Sequence, residues 1–362
     1  MPHQKQAPAD ASATRWMPLH IPTYDGQPSV GHPSVVFAAE GWNGYRYWMA
    51  FTPFPDDSRE NPSVVASQDG VEWREPDGIR NPVVPVAEIR RAGYLYNSDP
   101  ELVLTPDGWM LLYYRPFLGK GNEAIYCKRS RNGIDWSDGQ RVLSNLRIRY
   151  PAALISPAVE ADLGGGLVMW SVNGLHLGRR VIERRTSPDG VSWSAPERCV
   201  IPRHVDPWHL DVAAVAGRYH MLVTDGTRLF HWQSGDGRAW TGSRGKAVGR
   251  SGTATDARGH YRSTLVPLGS VPPRWDVWVT GESGTGRNAF CDTWRIGLLH
   301  DIDLSAGTED KARAGLVRSW QWRWQRLRGR SFERVLVTGA LLRSTIERWA
   351  TGGSTFGKEG DL

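Results

Sequence analysis

The sequence lacks several features that would assign it to a familiar class. No run of apolar residues approaches the ~18 that a membrane-spanning helix needs. The N-terminal residues contain no apolar core like that of a signal peptide, which favours a cytoplasmic or phage-associated protein. Cysteine is scarce: Cys127, Cys199 and Cys291 cannot all pair and show no CxxC spacing. We therefore predict neither a disulfide framework nor a cysteine zinc site.

Common catalytic motifs are also missing. There is no P-loop and no Gly-x-Ser-x-Gly turn of the kind that carries a nucleophilic serine. The glycine-rich stretch 281–287 lies among strand-like residues and precedes no predicted helix, which excludes a dinucleotide fingerprint. Nucleotide-dependent chemistry and serine hydrolase chemistry are therefore not expected.

The net charge of +6 is concentrated near the C-terminus. Residues 311–349 contain ten Lys/Arg and two acidic residues, so the rest of the chain is about neutral. A nucleic-acid-binding surface is therefore not predicted for the main body. We predict a basic, helical extension over residues 305–362, which either packs on the body as an amphipathic helix or contacts an anionic partner or surface.

Glycine (40), proline (24) and tryptophan (18) are abundant, and they recur in a short motif, S-x-[DN]-G-x-x-W. The motif occurs four times with identical spacing, at Ser67–Trp73, Ser130–Trp136, Ser187–Trp193 and Ser234–Trp240. Asp-Gly and Asn-Gly favour the positive φ angles of tight turns between strands. Each copy follows an alternating run of residues, so each is predicted to join a third strand to a fourth.

Two further strand-like runs precede each copy, and the pattern extends to a fifth unit that lacks the turn motif. Five units of four strands predict an all-β, five-bladed β-propeller over residues 31–304. Residues 1–30 are predicted to form an N-terminal arm or to close the ring. A β-sandwich or a pair of smaller all-β domains is the alternative.

The inner strand of each predicted blade begins with a polar residue before an apolar run. These strand starts are expected to converge at one end of the central channel, opposite the turn motifs. Carboxylates there are costly to bury unless they are paired or functional. Paired carboxylates are also what glycoside cleavage requires. The predicted catalytic residues are Asp99, Glu101 and Asp211. The predicted substrate-binding residues are His32, Glu60, Arg115, Trp208, His209, Tyr261 and Arg262, with Trp42 and Phe54 as further aromatic walls.

No catalytic metal is predicted. His32 with the His209-x-Asp211 pair could hold a divalent ion, since imidazole and carboxylate groups suit several such ions. Calcium in the channel is the one ion that the sequence analysis keeps open as a cofactor.

The stretches 32–63, Asp99–Leu102, Trp208–Asp211 and Tyr261–Thr264 resemble the five-bladed propeller glycosidases, which include glycoside hydrolase family 43 and the related fructosidases and mannoside phosphorylases. The turn motifs resemble the Asp-box of sialidases, with one residue fewer between Asp and Trp. The resemblance implies a glycoside hydrolase, or a phosphorylase, acting on a poly- or oligosaccharide. The family's carboxylate positions in blades one and three are occupied here by His32 and Ser156. A non-catalytic glycan-binding or virion-associated receptor-binding propeller is therefore the alternative, and a protein-interaction scaffold is a third hypothesis.

Overall fold

The computed structural model of the chain describes residues 16–54, 59–85, 96–117, 123–144, 154–174, 179–242, 244–245, 247–249, 256, 258–269, 272–283 and 293–305. These residues form five antiparallel sheets and no α-helix. None of them belongs to a helix that could cross a membrane. The predicted helical extension lies, beyond Ser305, outside the described residues.

Each sheet is one blade of the propeller. The strands of blades one and two are β2 (Val30–Trp42), β3 (Tyr45–Pro53), β4 (Ser63–Ser67), β5 (Tyr96–Leu104), β6 (Met110–Phe117), β7 (Ala124–Ser130) and β8 (Gln140–Ser144). Those of blades three and four are β9 (Ile155–Ala161), β10 (Leu167–Asn173), β11 (Val181–Ser187), β12 (Glu197–Arg198), β13 (His209–Val215), β14 (Arg218–Thr224), β15 (Leu229–Ser234) and β16 (Thr241–Gly242). Blade five contains β17 (Gly259–Pro267), β18 (Trp275–Ser283), β19 (Thr293–Ile302) and the N-terminal β1 (Met17–Pro18).

The predicted five-bladed propeller is confirmed, with two differences in strand content. Blade one has three strands, and in place of a fourth strand Arg74 forms a single bridge to Ala66. The outer strand of blade five comes from the beginning of the chain, since Met17 pairs with Leu298 and Pro18 with Gly297. Because this sheet combines the first strand of the propeller with the last three, it links the first blade to the fifth and closes the ring.

The four turn motifs have one shared geometry. In the first, the Ser67 hydroxyl accepts a hydrogen bond from the Gly70 N–H at 2.9 Å, and Asp69 Oδ1 accepts from two N–H groups farther along the turn. The motif glycines have φ between 70° and 77°, a region in which a side chain is strained. Local polar residues therefore satisfy the turn, as the sequence pattern predicts.

The turns also join neighbouring blades. The Gly70 carbonyl accepts a hydrogen bond from Trp278 Nε1 of blade five, and the Gly237 carbonyl accepts one from Trp170 of blade three. At Gly133 a Cβ atom would stand 2.3 Å from the Trp48 ring of blade one. Glycine is thus required both for the turn and for the close approach of an aromatic ring from the preceding blade. The motif repeats because this interface between blades repeats.

Candidate active site

The inner strands begin at the channel end opposite these turns, and four of the five begin with a β-bulge. One extra residue is inserted between Gly31 and Ser34, and the same shift occurs in blades two, three and five. Only blade four has a regular register over its whole inner strand, from His209 to Val215. A bulge reorients side chains and is common beside active sites.

The residues within these bulges have unusual backbone angles. His32, Asp99 and Ser156 each precede a proline and have φ of 56°, 52° and 54°. A positive φ at such residues costs of order 1–3 kcal/mol and persists only where the surrounding structure enforces it. Strain is therefore repeated at one equivalent position in three blades, directly at the predicted site.

Three of the predicted site residues converge to form what we call the histidine–aspartate cluster, His32, Asp99 and His209. Asp99 Oδ1 lies 3.7 Å from His32 Nε2 and 3.4 Å from His209 Nδ1. One potential ligand atom from each residue lies within 4.8 Å of the other two. All three side chains are buried, Asp99 completely.

The atoms that face one another in the cluster have no hydrogen-bond partner. They are His32 Nε2, Asp99 Oδ1 and His209 Nδ1, and the second nitrogen of His209 is also without one. Buried polar groups are nearly always paired, so a convergent set of unpaired atoms needs an explanation. A ligand shared by all three would provide one.

Neighbouring groups fix the ionisation of the cluster. Burial alone would raise the pKa of Asp99, but the Arg115 charge, helped by His209, His32 and Arg262, holds it well below its usual value. Burial lowers the pKa of His32 to about 3 and that of His209 well below its usual value, in each case against the attraction of Asp99. The cluster is therefore one carboxylate with two neutral imidazoles, the forms that bind metal ions.

A second set of contacts orients the cluster. Arg115 Nε donates a 2.6 Å hydrogen bond to Asp99 Oδ2, which leaves Oδ1 directed at the histidines. His32 Nδ1 lies 2.8 Å from the Thr52 hydroxyl and 3.5 Å from Glu60 Oε1, so its Nε2 is the nitrogen that faces Asp99. Partners on the opposite nitrogen or oxygen are typical of groups that hold a metal.

Aromatic rings cover the cluster. The Tyr261 ring centroid lies 4.4 Å from that of His209 and 5.4 Å from that of His32, and Trp294 packs on Tyr261 at 4.2 Å. Trp208 Nε1 donates to the Tyr261 hydroxyl at 3.0 Å, while the Arg180 guanidinium stacks over the Trp208 ring at 4.4 Å. Because Arg180 occupies one face of Trp208, the contacts favour a role for Trp208 in holding Tyr261.

The other two predicted catalytic residues belong to a different arrangement one layer deeper, which we call the inter-blade ring. Its members are side chains of the five inner strands, and each accepts a hydrogen bond from a backbone N–H of the next blade. The acceptors are Ser34, Glu101, Glu160, Asp211 and Thr264, with donors Leu102, Val159, Ala214, Leu265 and Val35 at 2.9–3.2 Å. The five bonds form a closed circle around the channel.

This arrangement gives Glu101 and Asp211 a structural role. Burial, followed by repulsion from Asp211, raises the pKa of Glu101 well above its usual value, and burial raises the pKa of Asp211 to about 6. The proposed catalytic role of the pair stays a prediction, but their contacts account for both residues without one.

Arg262 connects the two layers. It is completely buried, its Nη2 donates to Glu101 Oε2 at 3.1 Å, and its Nη1 lies 3.8 Å from Asp99 Oδ1. The distance to Asp99 is too long for a hydrogen bond. Both Nη1 and Nε lack partners.

Two residues of the site were not predicted from the sequence, and one residue predicted to line the site lies elsewhere. Thr52 and Trp294 were not predicted, although a threonine between Phe51 and Pro53 at the end of a strand was a signal for the first. Trp42 was predicted to line the site, but it lies at the far end of β2 and packs against Trp48. Phe54 does lie near the site, with its ring 5.1 Å from that of Trp294.

The cluster fits a divalent cation by the chemistry of its ligand atoms and by the two distances from Asp99. Two imidazole nitrogens and one carboxylate oxygen match catalytic sites in which water or substrate completes the coordination. Bonds of about 2.1 Å in a tetrahedral site put ligand atoms about 3.4 Å apart, close to the two distances from Asp99 Oδ1. Imidazole nitrogen favours Zn²⁺ or a similar ion over the calcium that the sequence analysis considered.

Similarity to known proteins gives independent support for the fold. The chain matches no protein-family model. A curated relative, an A type blood N-acetyl-alpha-D-galactosamine deacetylase from Flavonifractor plautii, is 29% identical over 51% of this chain. The match spans 29% of that protein, less than a third of its length.

Solved structures with the same fold include a deacetylase and an arabinanase. The crystal structure of an N-acetylgalactosamine deacetylase from F. plautii, in complex with blood group B trisaccharide, superposes with a TM-score of 0.68 at 22% identity, over 78% of this chain and 94% of that one. The native Bacillus subtilis arabinanase superposes with a TM-score of 0.54 at 14% identity, over 77% and 96% of the two chains. The predicted resemblance to five-bladed propellers of the family 43 type is thus confirmed for the fold.

Proposed function

We propose that the protein is a carbohydrate-active hydrolase that uses a divalent cation to remove the acetyl group from an N-acetylated sugar. The histidine–aspartate cluster carries the proposal, because three buried ligand atoms converge there without hydrogen-bond partners. The deacetylase relative supports an amide as the bond attacked. The fold shared with an arabinanase supports a carbohydrate substrate.

In this proposal His32 Nε2, Asp99 Oδ1 and His209 Nδ1 hold the cation. Such an ion supplies Lewis acidity, which lowers the pKa of water and polarises a carbonyl oxygen. Arg115 keeps Asp99 ionised and turned towards the histidines, and the contacts of Thr52 keep the correct nitrogen of His32 available. Tyr261 packs against both imidazole rings and limits their rotation.

Hydrolysis of the acetamide consumes one water molecule, breaks the C–N bond and releases acetate and the free amine. Glu60 is our candidate to take the proton of the attacking water and return it to the leaving nitrogen. Its Oε1 lies 3.5 Å from His32 Nδ1, at the edge of the cluster. Glu123 Oε2 lies 3.6 Å from Arg115 Nη1 and accepts a hydrogen bond from the Leu154 N–H, and no contact of Glu123 with the cluster residues is found among the described residues. A proton carrier must lie within reach of the reacting atoms, which favours Glu60.

Cleavage of a glycosidic bond by Asp99, Glu101 and Asp211, with water or phosphate as acceptor, is the competing proposal. It would need these carboxylates to act on the sugar, yet each already has a partner in the protein: Arg115 donates to Asp99, Arg262 donates to Glu101, and the Leu265 N–H donates to Asp211. Binding of a glycan without catalysis is the remaining alternative, because blades one and three lack the carboxylates of the arabinanase-type enzymes.

An assay that measures acetate and new reducing ends separately distinguishes these proposals. Purified protein is stripped with EDTA, reloaded with Zn²⁺ or Mn²⁺, and incubated with a panel of N-acetylated oligosaccharides and neutral polysaccharides. We expect acetate release without new reducing ends, lost on stripping and restored by one of the ions. New reducing ends that persist in EDTA would instead support the glycosidase, and saturable glycan binding without either product would support a binding protein.

Variants of the cluster provide the sharpest test. His209→Gln should reduce acetate release by more than about 100-fold, beyond the 10–100-fold typical of residues that only support a metal ligand. It should also weaken Zn²⁺ binding measured by calorimetry. The matched control is His20→Gln, because His20 is exposed and does not belong to the cluster. Full activity in His209→Gln protein would rule out the proposed site.

A further inference from the structure

Arg262 is a feature of the site that the proposed hydrolysis does not yet use. A guanidinium has five N–H donors, and in a completely buried side chain each unpaired donor is costly. Arg262 Nη2 reaches Glu101, whereas Nη1 and Nε have no partner. If Arg262 were only the counter-ion of Glu101, its Nη1 group would not need to direct an unpaired N–H towards the histidine–aspartate cluster.

The position of Nη1 identifies what it can bind. It lies 3.8 Å from Asp99 Oδ1, the oxygen that His32 Nε2 and His209 Nδ1 also approach. The three other atoms are potential ligands of a cation, but an N–H donor is not, and its positive charge repels one. It can donate to an oxygen atom that enters the space beside the cluster, and most strongly to one that carries negative charge.

We propose that Arg262 is an oxyanion-binding residue: its Nη1 donates a hydrogen bond to the acyl oxygen of the substrate, and then to the carboxylate of the released acetate. This inference rests on the proposed function, because the acyl group is the substrate part that it assigns to the cluster. Negative charge grows on the acyl oxygen as the water attacks, so a buried donor aimed there stabilises the transition state. Glu101 becomes the positioning residue that anchors Arg262 from below.

The inference predicts different effects on two ligands. Without the Arg262 charge, binding of Zn²⁺ should be retained or strengthened, because that positive charge no longer faces the cation in a buried site. Binding of acetate should weaken about 10- to 100-fold, the equivalent of one charge-assisted hydrogen bond. A purely structural role predicts instead that both ligands bind less well, in proportion to the loss of folded protein.

The experiment uses a double variant that removes one positive and one negative charge, so the net charge around the inter-blade ring does not change. Glu101→Gln with Arg262→Met removes both members of the buried ion pair, which is tolerated far better than the loss of one. Arg262→Lys is the second variant, since it keeps the positive charge and loses the fork of donors. Arg131→Met is the control, because Arg131 is exposed and lies in a turn motif at the opposite channel end. Each folded protein is titrated with ZnCl₂ after EDTA treatment, and with sodium acetate with and without Zn²⁺.

Each outcome is decisive. Weaker acetate binding with retained or stronger Zn²⁺ binding in the double variant supports the role of Arg262. Acetate binding equal to that of the wild type, or undetectable in the wild type itself, overturns it. Wild-type protein that binds no Zn²⁺ or Mn²⁺ contradicts the proposed function, and acetate binding then still decides the role of Arg262 in the absence of the metal.

Discussion

On three inner strands a residue of the histidine–aspartate cluster lies two positions before a residue of the inter-blade ring, yet the polar groups of the two sets differ in their hydrogen bonding. Every acceptor of the ring binds a backbone N–H of the neighbouring blade. Every facing atom of the cluster lacks a partner. The hydrogen bonds of the ring therefore join the blades, whereas the unpaired atoms of the cluster are the ones that we propose bind a ligand. Burial and residue type do not separate the two; hydrogen bonding does.

The largest test of this comparison pairs one residue from each layer. His209→Gln should sharply weaken Zn²⁺ binding and change the melting temperature little, because neither ring nitrogen of His209 has a hydrogen-bond partner within the protein. Glu101→Gln should retain the metal site but lower stability by about 3–5 kcal/mol, since it leaves the Arg262 charge buried without its partner.

Thermal unfolding and Zn²⁺ titration of both variants provide the check. The result that would contradict the comparison is the reverse pattern, with His209→Gln unstable and Glu101→Gln stable but inactive. That pattern would restore Glu101 as a catalytic carboxylate, as the sequence analysis expected.

A smaller effect is expected for an uncharged member of the ring. Thr264→Val keeps the shape of the side chain but removes the acceptor of the Val35 N–H at the junction of blades five and one. One unsatisfied buried donor costs about 1–3 kcal/mol. Chemical denaturation should show that loss, with Zn²⁺ affinity unchanged. No loss of stability in Thr264→Val protein would mean that the ring is incidental to the fold.

The smallest expected effect is a dependence of stability on pH. Burial, opposed by the N–H groups of Ala161 and Ala214, raises the pKa of Glu160 to about 7. Because the folded state then holds a proton that the unfolded chain has lost, the contribution of Glu160 to stability falls as the pH rises from about 4.5 to 7. In Glu160→Gln protein the melting temperature should change less over this pH range than in the wild type. If the melting temperatures of the two proteins changed in parallel with pH, the raised pKa of Glu160 would be contradicted.

The fold could be predicted because its evidence is local and repeated. Each S-x-[DN]-G-x-x-W turn satisfies its own backbone, and strict spacing in four copies sets the number of strands per blade. The outer strand of blade five was harder, since Met17 and Leu298 are paired only through ring closure. The reduced blade one carries no sequence signal that distinguishes it.

The candidate site was predicted as a set of residues and not as an arrangement. His32, Asp99 and His209 were identified because they are polar residues at the starts of inner strands. They were given different roles, catalysis for Asp99 and substrate binding for the histidines, on the assumption that side chains alternate between the two faces along the whole of each strand. The bulges break that period at His32 and Asp99, while β13 remains regular at His209. A one-residue insertion is invisible in the sequence, because a proline after a polar residue is equally common in turns.

The pairing of β1 with β19 has a consequence for synthesis of the protein. Met17 leaves the ribosome about 280 residues before its partner Leu298, so blade five can be completed only after almost all of the described chain has emerged. Contacts so distant in sequence slow folding. Until then β1 and the first inner strand lack their partners in blade five, and a nascent chain halted before Thr293 would expose the interfaces that the closed ring buries. Ring closure is thus a late step of folding, and the propeller gains resistance to aggregation and proteolysis only after β19 has emerged.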